Sequence, residues 1–223
     1  MKKRTAWCKL PTEWIVNGNL KKFKTSSTEA TSSAAALMCL TVIAHEADPE
    51  SGIARVTYSQ FESALSKSRK TIASGLRKLE KVGLVITGKT QSERALIGYN
   101  PSKGWGKFPC KSLYKNDEIE FFSACTLRQR SELDAIKMLF LIVAFRDQSR
   151  NLAMISYDKV TEIAGIPRER IKTAISLLAA NGIVFVEHVP SSTSDYGIVN
   201  GYRLRGIEPY NHYGTRGRSE IIS

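Results

Sequence analysis

The sequence repeats itself. Residues 57–85, TYSQFESALSKSRKTIASGLRKLEKVGLV, align without a gap to residues 156–184, SYDKVTEIAGIPRERIKTAISLLAANGIV, each residue i lying opposite i + 99. Tyr58/Tyr157, Arg69/Arg168, Ile72/Ile171, Leu79/Leu178, Gly83/Gly182 and Val85/Val184 are identical, and Thr57/Ser156, Phe61/Val160 and Leu84/Ile183 are conservative. The echo extends upstream with small slips. Trp7-Cys-Lys-Leu-Pro11 returns as Trp105-Gly-Lys-Phe-Pro109, and MCLTVIA (38–44) as MLFLIVA (138–144). A chain that carries one apolar phase twice is expected to build one supersecondary unit twice. The copies divide near Asn100-Pro-Ser-Lys-Gly-Trp-Gly106, where Pro and Gly supply loop chemistry. The expected organisation is residues 1–100, residues 101–206 and a tail, 207–223.

Each copy shows the same order of signals. Dense apolar residues predict a mostly buried helix over 31–47 and 131–147. Short β-prone pieces follow, Ile53–Val56 and Leu152–Ile155, and then Thr57 and Ser156, each placed to cap a second, short helix. A tight connection, Ser66-Lys-Ser68 or Gly165-Ile-Pro167, leads to a third helix over 69–82 or 168–181. Gly83 and Gly182 stand where a left-handed residue closes a helix. Strands are expected at 84–87 and 183–189, with hairpin partners at 96–99 and 201–204.

Helix, strand, helix, turn, helix, hairpin is the order of a winged helix–turn–helix. SQFESALSKSRKTIASGLRKLEKVGLV resembles the helix–turn–helix and first wing strand of bacterial winged-helix proteins. The Trp-x-Lys-[Leu/Phe]-Pro lead-in is similar to that of phage and plasmid replication proteins. Two such modules in one chain also resemble plasmid replication initiators. The resemblance covers most of residues 7–205 as a pattern. It implies an α+β, mainly α fold of two tandem winged helices, and a protein that binds double-stranded DNA. The implied function is replication initiation for a plasmid, phage or related mobile element, with transcriptional repression as the alternative.

On a helical wheel Ile72, Leu76 and Leu79 point to the core, leaving Lys70, Ser74, Arg77, Lys78 and Lys81 opposite and Arg69 and Thr71 beside them. Ser68, in the turn just before this helix, is a further candidate DNA contact. Lys and Arg there would neutralise phosphates, and Arg can also pair with guanine. Lys89 and Arg94 mark the short first wing as a second contact, to a phosphate or in the minor groove. The second copy keeps Arg168, Arg170 and Lys172 near the start of its third helix, but its outward positions are Glu169, Thr173, Ser176, Leu177 and Ala180. Residues 57–89 hold seven Lys/Arg and two Glu, whereas residues 156–188 hold four Lys/Arg and four Asp/Glu. The second copy therefore reads either as a weaker DNA contact, through Thr173 and Ser176, or as a docking surface. Its occupant would be a second copy of the chain or a replication or transcription protein, met through an exposed Leu177. The second wing loop, Pro190–Gly197, reads as a polar hairpin loop. Basic residues near the termini (Lys2, Lys3, Arg4, Lys9, Lys21, Lys22, Lys24, Arg216 and Arg218) read as arms along the DNA backbone or as solubilising ends.

Charge supports a polyanionic partner: 33 Lys+Arg against 21 Asp+Glu give a net +12. The longest nearly apolar stretch, 135–145, is too short to span a bilayer, and MKKRTAWCKL has no apolar run behind its charges, so a bacterial cytoplasmic, nucleoid- or plasmid-associated protein is expected. Cys8, Cys39, Cys110 and Cys125 lack metal-ligand spacing and read as reduced buried thiols. His45, His188 and His212 are scattered. Gly83-Leu-Val-Ile-Thr-Gly88-Lys89-Thr90 matches the phosphate-loop letters, but a helix precedes it where a strand is required. Asp117-Glu-Ile-Glu120 reads as a helix start. No metal, cofactor or catalytic set is expected.

Overall fold

A computed structural model describes residues 4–26, 29–190 and 198–207. The chain is α+β and mainly helical, about 47% helix and 22% strand. Two long helices form its centre, α2 (Ala30–Glu46) and α6 (Arg130–Phe145); every residue from Ser33 to Ala44, and from Glu132 to Val143, is buried. Alternation cannot be read from such helices because they have no solvent face.

Around α2 stand β2 (Ile53–Arg55), α3 (Tyr58–Leu65), α4 (Arg69–Lys81), β3 (Val85–Thr87) and β4 (Glu93–Leu96). Around α6 stand β8 (Arg146–Asp147), β9 (Leu152–Met154), α7 (Tyr157–Ala164), α8 (Arg168–Ala180), β10 (Val184–Pro190) and β11 (Ile198–Leu204). The starts of α7 and α8 lie 99 residues after those of α3 and α4. The strands form antiparallel sheets of order β2-β4-β3 and β10-β11-β9-β8.

Local chemistry explains the boundaries. Thr57 and Gln60 form a reciprocal capping box that opens α3, and Ser156 accepts from the Lys159 N–H to open α7. Ser68 Oγ accepts from the Thr71 N–H at the start of α4; Pro167 fills the equivalent place before α8. Gly83 and Gly182 take φ of +74° and +64°, and each helix ends there. Gly75 lets α4 lie directly on α2: a Cβ there would stand 2.7 Å from the Ala35 carbonyl carbon.

Two expectations need correction. The first hairpin's return strand is Glu93–Leu96, not 96–99: Gly88 N–H donates to Glu93 O, which closes the turn early and pairs Val85 with Leu96. Asp117 and Glu118 do not start a helix. They lie in the turn and second strand of a small hairpin, β6 (Tyr114–Lys115) and β7 (Glu118–Ile119), and only Glu120 opens α5 (Glu120–Ala124).

The lead-in motifs form a structure of their own. Trp7–Pro11 (β1) pairs antiparallel with Trp105–Pro109 (β5), Trp7 opposite Pro109, Lys9 opposite Lys107 and Pro11 opposite Trp105. Because the two strands carry the same motif, this register is two-fold symmetric about the Lys9–Lys107 pair. Beyond the ribbon the lead-ins exchange places. α1 (Glu13–Val16) and the 3-10 turn Asn19–Lys22 pack against α7 in the second half, while β7 and α5 pack against α3 in the first. The exchange reaches both inter-helix turns. Ser66 donates to Glu118, and Lys67 Nζ donates to Ser123 O at 2.9 Å; across the molecule, Gly165 (φ +64°) lies against the Lys21 side chain. One continuous apolar core runs through both halves.

Candidate nucleic-acid interface

α4 is the most basic helix face on the described chain. Its buried stripe is Ile72, Gly75, Leu76 and Leu79, and Lys70, Arg77 and Lys81 stand exposed on the opposite side, one or two turns apart. Arg69, at the first turn, is 67% exposed and pairs with Glu62 at 3.1 Å. Ser68 is exposed; Thr71 and Ser74 are half-buried at the margin. Lys89 is exposed in the hairpin turn beyond β3.

Lys78 does not belong to this face. Its side chain is 12% exposed and its ammonium lies 2.7 Å from Glu29 Oε2. The wheel angle is right, but α2 begins beside this flank of α4 and covers it. Arg94 is also withdrawn. It pairs with Thr87 and Ala54 on the core side of the sheet, is 5% exposed, and donates to the Gln91 and Glu93 carbonyls, so it fastens the hairpin turn from inside.

The face of α8 is weaker. Lys172, Thr173 and Ser176 are exposed. Arg168 is exposed and engages Asp158, with its guanidinium 5.7 Å from the Tyr157 ring centre. Arg170 turns inward to buried Asp134, Nη2 to Oδ2 2.6 Å. Burial raises the Asp134 carboxyl from its ordinary value, against the attraction of Arg170. Beside it Lys137 Nζ donates to Ala164 O at 3.0 Å, and burial lowers its pKa to about 8. Leu177 is half-buried and packs against the core, at the position matching Lys78, so it is not an exposed anchor.

Arg4 is held as well. Its guanidinium lies 2.6 Å from Asp117 Oδ1 and 3.7 Å from the Tyr114 ring centre. The expected arm contacts of Lys2, Lys3, Arg216 and Arg218, the wing loop 191–197 and His212 lie outside the described residues. His45 is half-buried between Tyr114 OH (3.1 Å) and Pro109 O (2.8 Å), and loss of solvent around its ring lowers its pKa to about 3, so it is neutral. The phosphate-loop letters fall on the end of α4, strand β3 and a hairpin turn, and no helix opens at Lys89. Among the described residues no three His, Cys, Asp or Glu side chains gather to hold a metal, and no helix is long and apolar enough to cross a membrane.

In the lead-in ribbon the sequence points only to Lys9, as part of an arm along the DNA backbone or a solubilising end, and the pairing of β1 with β5 makes it a strand residue instead of part of a free arm. The signal was present in the alternation: Trp7, Lys9 and Pro11 share one face of a strand, as do Trp105, Lys107 and Pro109. No protein-family model, curated protein or solved structure matches the chain.

Proposed function

We propose that the chain is a sequence-specific duplex DNA-binding protein, without catalytic activity, built of two tandem winged helix–turn–helix halves related by internal duplication. Within that class the favoured role is replication initiation for a plasmid, phage or related mobile element in the bacterial cytoplasm. The observation that carries the reading is the face of α4. Lys70, Arg77 and Lys81 are exposed on the helix that follows a capped short helix and a tight turn, in a chain of net charge +12. A helix so placed enters a major groove with its cations toward phosphates and base edges.

Transcriptional repression is the second reading, and the symmetric pairing of β1 with β5 favours it. Two reading helices related by a two-fold address inverted half-sites, which in a repressor usually takes two chains. A partner-docking role for the second half loses its main support with the inward packing of Leu177.

Selection from a randomised duplex library tests the reading. The wild-type chain should enrich one sequence, and Lys70→Ala/Arg77→Ala/Lys81→Ala should enrich none. Equal enrichment by both proteins would overturn it. The selected sequence then separates the roles: repeats beside an AT-rich stretch indicate an origin, and a site over a promoter indicates a repressor.

A further inference from the structure

We propose that the outward face of the β1–β5 ribbon is a binding site for an unpaired nucleic-acid strand, separate from the duplex-reading face of α4. Trp7 and Trp105 stand at opposite ends of the ribbon, yet their rings stack with centroids 5.8 Å apart and planes 15° apart. Each stack end is covered by a lysine from the other strand. Lys107 Nζ lies 5.1 Å from the Trp7 ring centre and Lys9 Nζ 5.6 Å from that of Trp105. All four side chains are partly exposed.

Lys9 and Lys107 are directly opposite in the ribbon, and like charges at such a pair cost stability. Two ammonium groups on one small face fit a chain of phosphates, and indole rings fit bases, since every base has a face to stack. Duplex DNA offers phosphates but keeps its base faces stacked on one another. An unpaired strand offers both.

The exchange is chemically simple. A cation–π contact on a partly exposed ring is weaker than a stacked base. A base can therefore take the outer face of Trp7 or Trp105, while the displaced ammonium swings to the flanking phosphate. Lys9 otherwise makes only a long 3.4 Å bond to Pro49 O on that side. The approximate two-fold sets two such positions, one at each end of the stack.

Intrinsic fluorescence reads the site directly, because the chain has three tryptophans and Trp14 is packed between Phe23 and Phe140. With Trp14→Phe as background, an oligothymidylate of about 15 nucleotides should quench emission saturably. Lys9→Gln/Lys107→Gln, which leaves the rings in place, should weaken that binding by about 10-fold or more and shift the salt dependence. Trp7→Leu, checked for an unchanged unfolding midpoint, should weaken the binding comparably and leave its salt dependence unchanged. Affinity for the selected duplex should stay unchanged in these variants. Conversely, Lys70→Ala/Arg77→Ala/Lys81→Ala should lose the duplex and keep the single strand. Absence of quenching, equal competition by inorganic polyphosphate, or loss of single-strand binding only in the α4 variant would overturn the proposal.

Discussion

Lys78 Nζ lies 2.7 Å from Glu29 Oε2, and this pair decides how far the cationic face of α4 extends. The lysine holds the Glu29 carboxyl below the usual carboxylate range and ties the last turn of α4 to the residue that precedes α2. A side chain so committed is a poor phosphate ligand, although its sequence position marks it as one.

Salt dependence should separate the two kinds of lysine. Each phosphate contact contributes about 0.9 to the slope of log affinity against log salt. Replacing Lys70, Arg77 and Lys81 with Ala should therefore flatten the slope by about 3. Lys78→Ala should leave the slope unchanged and act on thermal stability instead. Titrations across a salt series with each variant check this. A flattened slope for Lys78→Ala would show that the Glu29 pair opens on binding.

Gly75→Ala should destabilise despite the better helix propensity of alanine. The gain in propensity is about 1 kcal/mol, but the added methyl would meet the Ala35 backbone, which cannot move without shifting α2. A net loss of about 1–2 kcal/mol is expected from urea unfolding. The matching position in the second half is Ala174, fully buried, so there the reverse change, Ala174→Gly, should lose stability through both helix propensity and the loss of a buried methyl.

The charged group at the base of α6 should give a pH signature. Lys137 has a pKa of about 8, below its ordinary 10.5, because burial disfavours the ammonium despite Asp134; Arg170 and Lys78 push the same way as burial. Between about pH 8 and 10.5 the unfolded chain binds more protons at this residue than the folded one, so its contribution to stability rises with pH in that window. The thiols act oppositely, since loss of solvent raises Cys8, which is half-buried and not buried as expected, and the buried Cys39 and Cys125. The readout is thus the difference between the wild type and Lys137→Met, measured by urea unfolding from pH 7 to 10. The wild type should gain on the variant as pH rises.

Local chemistry made much of this fold legible. Thr57, Ser156, Gly83 and Gly182 each act through the backbone within a few residues, and the helices they bound start or end where those residues stand. What the sequence hides is tertiary. A wheel assigns Lys78 and Leu177 an angle but cannot say that α2 or the core covers that flank. Arg94 looked like a wing contact because its charge was weighed and its strand parity was not; it shares its face of the sheet with buried Ala54, Val85 and Leu96. The exchange of lead-ins was hidden most deeply. A repeat at constant spacing suggests separate beads on a string, and only the pairing of Lys9 with Lys107 shows the halves turned toward each other.

That pairing changes what one chain should protect on DNA. A repeat read along the sequence suggests two modules in the same direction, one helical turn apart. The β1–β5 register instead relates the lead-ins by a two-fold, and the reciprocal packing of α1 on α7 and α5 on α3 carries the relation into the bodies. α4 and α8 should then meet DNA in opposite directions, with half-sites about 10–10.5 base pairs apart. The half-sites cannot be equal, because α4 presents Lys70, Arg77 and Lys81 where α8 presents Glu169, Ser176 and Ala180. One chain should therefore protect an imperfect inverted repeat, with the stronger protection on one side. Footprinting with the mass of the complex measured alongside checks it, and Lys172→Ala/Thr173→Ala should erode only the weaker half. Protection of two directly repeated half-sites by one chain would show that the two-fold ends at the ribbon. Two chains on a perfect palindrome would mean that α8 does not touch DNA.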